Sequence, residues 1–107
     1  LTDPHTLARC VKVRNMVADP EDDDDVAEVY EQVRAKLAPI VPLSMHTQSE
    51  TRLGTTEGVV YMQFSGKKDA MSVYNTLNGA WFNGSLLQVR FIRESRYAAR
   101  FPNTYVH

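Results

Sequence analysis

Between Cys10 and Ile92 the spacing of apolar residues switches from about two to about 3.6 and back, twice, and few folds accommodate that pattern in so short a chain. "CVKVRNM" (10–16) alternates Val11 and Val13 with Lys12 and Arg14, the period of a strand with one apolar face. "DPEDDDDVAEVYEQVRAKLAP" then changes to helical spacing. Asp19 suits a cap, Pro20 a first helical position, acids fill the opening turn, and Arg34 and Lys36 lie near the end. Val26, Val29, Tyr30, Val33 and Leu37 form its apolar stripe, and Pro39 stops it. "IVPLSMH" reads as a weaker strand, "TQSETRLGTTEG" as a mobile connection, and "VVYMQF" (59–64) as a clear strand. From Lys67 to Leu77, Ala70, Val73, Tyr74 and Leu77 recur at helical spacing before an Asn78-Gly79 stop. "LLQVRFI" (86–92) directs Leu87, Val89 and Phe91 inward and Gln88, Arg90 and Ile92 outward. The order is therefore βαββαβ. "RESRYAARFPNTYVH" predicts a short third helix ending at Pro102, with little order beyond it.

A chain of 107 residues supports one domain with a single core, so one fold must carry the function. With no apolar run long enough to span a bilayer and no signal-peptide pattern, it reads as soluble and intracellular, with no membrane partner. The single cysteine, Cys10, excludes an internal disulfide and any Cys-cluster metal site, and is expected as a small buried strand residue. His5, His46 and His107 are not spaced with acids or Cys for a metal, and no Ser or Cys lies in a nucleophile motif. The expectation is a non-catalytic domain with no metal and no cofactor. Net charge is −1, yet eight of the 13 acids lie between Asp19 and Glu31, while Arg90, Arg93, Arg96 and Arg100 cluster near the other end.

Over roughly residues 8–101 the element order and core spacing resemble an RNA recognition motif, which implies an α+β sandwich. Its four-stranded antiparallel sheet would carry two helices on one face, with residues 1–7 and 102–107 as flexible termini. Members of that fold that read RNA stack bases on aromatics of the two central strands. In "EGVVYMQF" Glu57 replaces a basic residue and Val59 an aromatic, leaving Tyr61; on the first strand Lys12 occupies the remaining aromatic position. Each platform contact contributes about 1 to 3 kcal/mol per base, so RNA binding through this domain is expected to be weak or absent.

"VRNMVADPEDDDD", "NGAWFNG" and the tail "RYAARFP" together resemble the U2-auxiliary-factor homology motif (UHM) of splicing factors. In that family an Arg-x-Phe tripeptide before the last strand offers its Phe to a tryptophan from a linear peptide of another splicing factor, whose basic residues meet acids on the first helix. Here the tripeptide is Ala80-Trp81-Phe82, so the resemblance gives Phe82 the stacking role and Trp81 the variable position. Ala80 lacks the family's arginine. The groove-facing acids fall, by register, on Val29 and Val33 or on Gln32 and Lys36, leaving Asp24, Asp25 and Glu28 nearby. The resemblance thus implies a nuclear splicing or RNA-processing factor with a more apolar peptide groove lined by Phe82, Trp81, Ala80, Asp24, Asp25, Glu28, Val29, Gln32 and Val33. For Phe82, simple packing of the loop on the core is the competing account; Val33 and Leu37 are more often core at this spacing, and Val29 is the better exposed contact. Two alternatives remain open. One is an RNA-binding module using Tyr61, Lys12, Arg14 and Arg90 on the outer sheet face, with Arg93 and Arg96 on phosphates, unless Tyr97 and Phe101 fold the tail over that face. The other is a groove that takes a folded partner or a second copy of the domain, making a homo-oligomer through Val29 and Trp81.

Overall fold

A computed structural model describes residues 8–107; the expectation for residues 1–7 lies outside them. The elements run β1 (Cys10–Val17), α1 (Asp23–Leu37), β2 (Ser44–Arg52), β3 (Thr55–Gln63), α2 (Lys67–Leu77), β4 (Trp81–Phe82), β5 (Ser85–Leu86), β6 (Gln88–Ile92) and α3 (Glu94–Arg100). The sheet order is β2-β3-β1-β6, antiparallel throughout, with β4 and β5 as a separate two-stranded ribbon. The α+β sandwich implied by the resemblance to an RNA recognition motif is the fold observed. Among the described residues, no helix is long and apolar enough to cross a membrane.

Period-two alternation on β1 and β6 gives the sheet two apolar faces, each with its own core. Val11, Val13, Val60, Met62 and Val89 meet Val29, Val33 and Leu37 of α1 and Ala70, Val73 and Leu77 of α2. On the opposite face Cys10, Val59 and Tyr61 lie under Tyr97 and Phe101. The second cluster is what the third helix is for: without it Tyr61 would present a whole aromatic ring to water.

Four local expectations change. Asp22, not Asp19, caps α1: its carboxylate accepts from the Asp24 and Asp25 amides at 3.0 and 3.2 Å, which satisfies two amides that have no partner within the helix. Asp19 instead accepts from the Glu21 amide at 3.0 Å and turns the chain into the helix. "TQSETRLGTTEG" is not a mobile connection. Its polar residues extend β2 and β3 into a long hairpin that turns at Leu53-Gly54, with φ 51° and 78°. That pair matches the right-handed strand twist as a type I′ turn. The strand expected from Ile40 begins only at Ser44. The segment after α3, expected to be loose, is tied to the sheet through Thr104 and Val106.

Candidate functional site

β1 does not end as a flat strand. Its register with β3 shifts between Arg14 and Val17, where Asn15 adopts φ 71°. Such a bulge bends a strand and re-aims its side chains, and here both Met16 and Val17 are buried. Val17 pairs with Gly58, where an added Cβ would lie 3.1 Å from the Pro20 Cβ and the Val17 carbonyl oxygen. Gly58 therefore lets the start of the α1 loop approach β3 closely. On the other side, Asn83 and Gly84 form a second type I′ turn, φ 50° and 82°, that folds β4 onto β5.

These pieces enclose a cleft of about 370 Å³. Met16 and Val17 line it from β1, Asp25 and Val29 from α1, Thr55 to Gly58 from the hairpin, and Phe82, Asn83 and Ser85 from the β4–β5 ribbon. Its size lies within the range of small-molecule and side-chain pockets, roughly 300 to 1,000 Å³. Two ties fix the ribbon: the Asn83 Nδ2 donates to Gln32 Oε1 at 2.9 Å, and the Asn15 Nδ2 donates to the Leu86 carbonyl at 2.9 Å. A loop that lacks an arginine at Ala80 is thus held to α1 by a neutral amide pair.

The residues expected at a groove divide into those at the cleft and those away from it. Phe82, Asp25 and Val29 meet at the cleft. Phe82 is only 8% exposed and packs with the core, so it is both a core residue and a wall of the cleft. Val29, expected as an exposed contact, is buried but lines the same wall. Val33 is fully buried one turn further on, a correction that follows from its place in the middle of the α1 stripe. Gln32 is engaged by Asn83. Trp81 is 72% exposed, pairs with Leu86 across the ribbon and does not line the cleft, because adjacent residues of a strand point to opposite sides. Asp24 and Glu28 are exposed on α1 away from the cleft lining, and half-buried Ala80 contributes backbone, accepting from the Leu87 amide at 2.9 Å. Spacing alone missed Asn15, Met16, Val17, Gly58 and Asn83; the Asn83-Gly84 turn chemistry was the signal nearest to them.

Acids crowd one end. Asp22 to Asp24 and Glu28 are exposed, and Asp25 is half-buried at the wall. Opposite, the Arg14 Nε is 3.3 Å from Glu57 Oε1, yet both atoms are buried without hydrogen-bond geometry, so the contact is ionic rather than directed. Among the described residues, no group of three His, Cys, Asp and Glu gathers as a metal site.

Tyr97 and Phe101 fold the tail over the outer sheet face, the condition under which the RNA alternative loses its platform. Tyr61 is 1% exposed. Its ring lies 5.4 Å from that of Phe101, the Arg100 guanidinium sits over it at 5.1 Å, and its hydroxyl donates to Glu50. Burial, then the Glu50 carboxylate, pushes the phenol up to about 12. Lys12 is half-buried beside it, its ammonium lowered first by burial and then by Arg14. Arg90, Arg93 and Arg96 are exposed.

His46 of β2 stacks on Phe101, ring centroids 4.0 Å apart, with Nε2 at 2.7 Å from Thr104 Oγ1. Burial lowers this imidazole below its ordinary 6.5. Because the folded state favours the neutral ring, it binds fewer protons than the unfolded chain just below that value, and the contribution of the stack, complete above it, is lost as pH falls. Urea midpoints are therefore expected to drop between pH 7.5 and 5.5 in the parent, and to flatten in His46→Phe.

No family model matches the chain. It is 31% identical over 105 residues to the mouse inner nuclear membrane protein Man1; the match covers 92% of this chain and 11% of Man1, so the chain spans about a tenth of that protein's length. Among solved structures it superposes on the RNA15 RRM with TM-score 0.53 at 14% identity, covering 85% of this chain and 97% of that one. It superposes on the RNA recognition domains of Sex-lethal from Drosophila melanogaster with TM-score 0.54 at 21% identity, covering 80% and 50%. For the yeast splicing factor Prp24 the TM-score is 0.56 at 19% identity, covering 81% and 34%. The fold is that of an RNA recognition motif.

Proposed function

We propose that this is a non-catalytic protein-interaction domain of the UHM type, which captures a tryptophan-containing linear peptide in the cleft between α1 and the β4–β5 ribbon. The observation that carries this reading is the meeting of Phe82, Val29 and Asp25 at one open cleft of about 370 Å³. An indole entering it would meet an aromatic ring and an aliphatic wall, and a single buried tryptophan is a sufficient anchor for a small interface. A basic residue beside that anchor would face Asp25 and the acids of the α1 start, which speeds encounter at low salt. The mouse relative's location at the inner nuclear membrane and the RNA-recognition fold support a nuclear setting, with a splicing or RNA-processing protein as donor of the peptide. We place the functional unit at residues 8–107, including the segment after α3.

A second reading, RNA on the sheet face, is favoured by half-buried Lys12 and exposed Arg90, which face each other across β1 and β6 and form no ion pair within 4 Å among the described residues. With Tyr61 covered, such binding would be largely electrostatic and steeply salt-dependent.

An NMR titration with a short Arg/Lys-Trp peptide and, separately, a single-stranded oligonucleotide tests both. Peptide shifts are expected at Asp25, Val29, Phe82 and Asn83. Shifts confined to Lys12, Arg14 and Arg90 with the oligonucleotide, and none with peptide, overturn the groove reading in favour of RNA.

A further inference from the structure

Gln63 is the buried polar side chain of β3, and its amide is satisfied by the main chain of one residue. Its Nε2 donates to the Val106 carbonyl at 2.7 Å, and the Val106 amide donates to its Oε1 at 3.0 Å. The same carbonyl accepts from Arg9 Nη2 at 2.8 Å. Arg9 is paired at 2.6 Å with Glu94 of α3, to which the Tyr105 hydroxyl donates at 2.9 Å. His46 adds its stack on Phe101 and its contact with Thr104. Residues of β1's approach, β2, β3 and α3 thus converge on a four-residue segment that has no regular secondary structure of its own.

The nature of these contacts differs from what lies beneath them. Tyr97 and Phe101 make an apolar seal on Cys10, Val59 and Tyr61. Apart from the half-buried Tyr105 ring at the edge of that cluster, the segment above is held by polar contacts, several of them at the surface, which water replaces at small net cost. The sealed cluster is also separate from the helix-side core, since the two occupy opposite faces of the sheet. One can open while the other stays packed, as in local unfolding units.

We propose that Thr104–His107 is a strap, with Gln63 as its catch, that holds α3 over the sheet, and that releasing the catch opens the Cys10–Val59–Tyr61 face while the helix-side core remains folded. Opening uncovers the Tyr61 ring, hidden in the closed state, beside half-buried Lys12 and Arg14 and exposed Arg90. Thr104–His107 and Gln63 lie apart from the residues that line the peptide cleft; the uncovered face and the cleft share the Arg14–Glu57 ion pair.

The chain's single cysteine reports on it directly. Cys10 is fully buried in the sealed cluster, and burial pushes its thiol up to about 12, so alkylation requires opening. Iodoacetamide labelling of Cys10 at pH 8 is expected to be slow in the parent and about tenfold faster in Gln63→Leu, which keeps the volume but loses both hydrogen bonds. The far-UV circular dichroism midpoint in urea should change little by comparison. Val106→Pro, which removes one donor from an exposed residue, should give a smaller acceleration and serves if Gln63→Leu does not fold. Parental labelling rates in the variants that fold overturn the proposal. So does a rate that rises with urea as steeply as global unfolding does, because the face would then open only when the whole domain unfolds.

Discussion

A Phe82→Ala domain is expected to lose measurable peptide binding and to be less stable by about 3 kcal/mol. Both effects have one cause: the ring is 8% exposed, packed into the helix-side core, and forms a wall of the cleft. Truncating a buried Phe costs about 3 to 5 kcal/mol, and a residue at the core's edge falls at the lower end. On the binding side, an aromatic pair is worth about 0.5 to 1.5 kcal/mol and burial of the incoming side chain about 1.5 to 3. Losing both weakens affinity roughly thirtyfold to a thousandfold. Because instability alone can abolish binding, Phe82→Leu separates the effects: it fills the space at a cost below about 1.5 kcal/mol but removes the ring. Calorimetry with an Arg/Lys-Trp peptide should then show roughly tenfold weaker binding in the Leu variant, with the melting temperature lowered by less than about 10 °C. Equal affinity of parent and Phe82→Leu would mean that Phe82 is only a core residue. Asp25→Lys, half-buried at the same wall in the first turn of α1, should weaken binding most at low salt, with a stability loss on the order of 1 kcal/mol from the reversed charge at the helix start.

How much of this was legible in the sequence depends on whether the signal was local. α2, β1 and β6 were readable because their periodicity is the burial pattern itself: Ala70, Val73 and Leu77 are buried as spaced, and so are Val11 and Val13. β2 was not. Its residues Thr47 to Arg52 are polar on both faces, and only pairing with Thr55 to Val60 makes them a strand. The same distinction separates Phe82 from the rest of the cleft. A turn flanked by Asn and Gly marks a ribbon, but Met16, Val17 and Gly58 reach the cleft through a bulge and a cross-strand register that no local pattern announces. Gln63 is the extreme case. In "VVYMQF" it looks like a solvent-facing interruption, whereas its two partners lie 43 positions away on one backbone unit.

That long-range closure makes α3 part of the fold rather than an appendage, and Tyr97→Ala measures it. Tyr97 is fully buried, meets Phe101 edge-on at 5.0 Å between centroids, and its hydroxyl lies 2.6 Å from Ser44 Oγ. Burial pushes that phenol up to about 12, so it stays a neutral hydrogen-bonding group at any pH where the domain is used. Removing the ring should cost about 3 to 5 kcal/mol, and for a domain of this size each kcal/mol lowers the melting temperature by roughly 4 to 8 °C. A drop of more than about 10 °C is therefore expected. Tyr97→Phe keeps the ring and loses one hydrogen bond, about 0.5 to 1.5 kcal/mol, so it should melt within about 10 °C of the parent and well above Tyr97→Ala. A loosely docked helix would give a different result: both variants would melt with the parent, and hydrogen exchange along α3 would be fast before substitution. The opposite extreme is informative too. If Tyr97→Ala melts in two steps, α3 and its sealed cluster form a unit of lower stability than the helix-side core, which is the behaviour required of a face that opens while the rest of the domain stays folded.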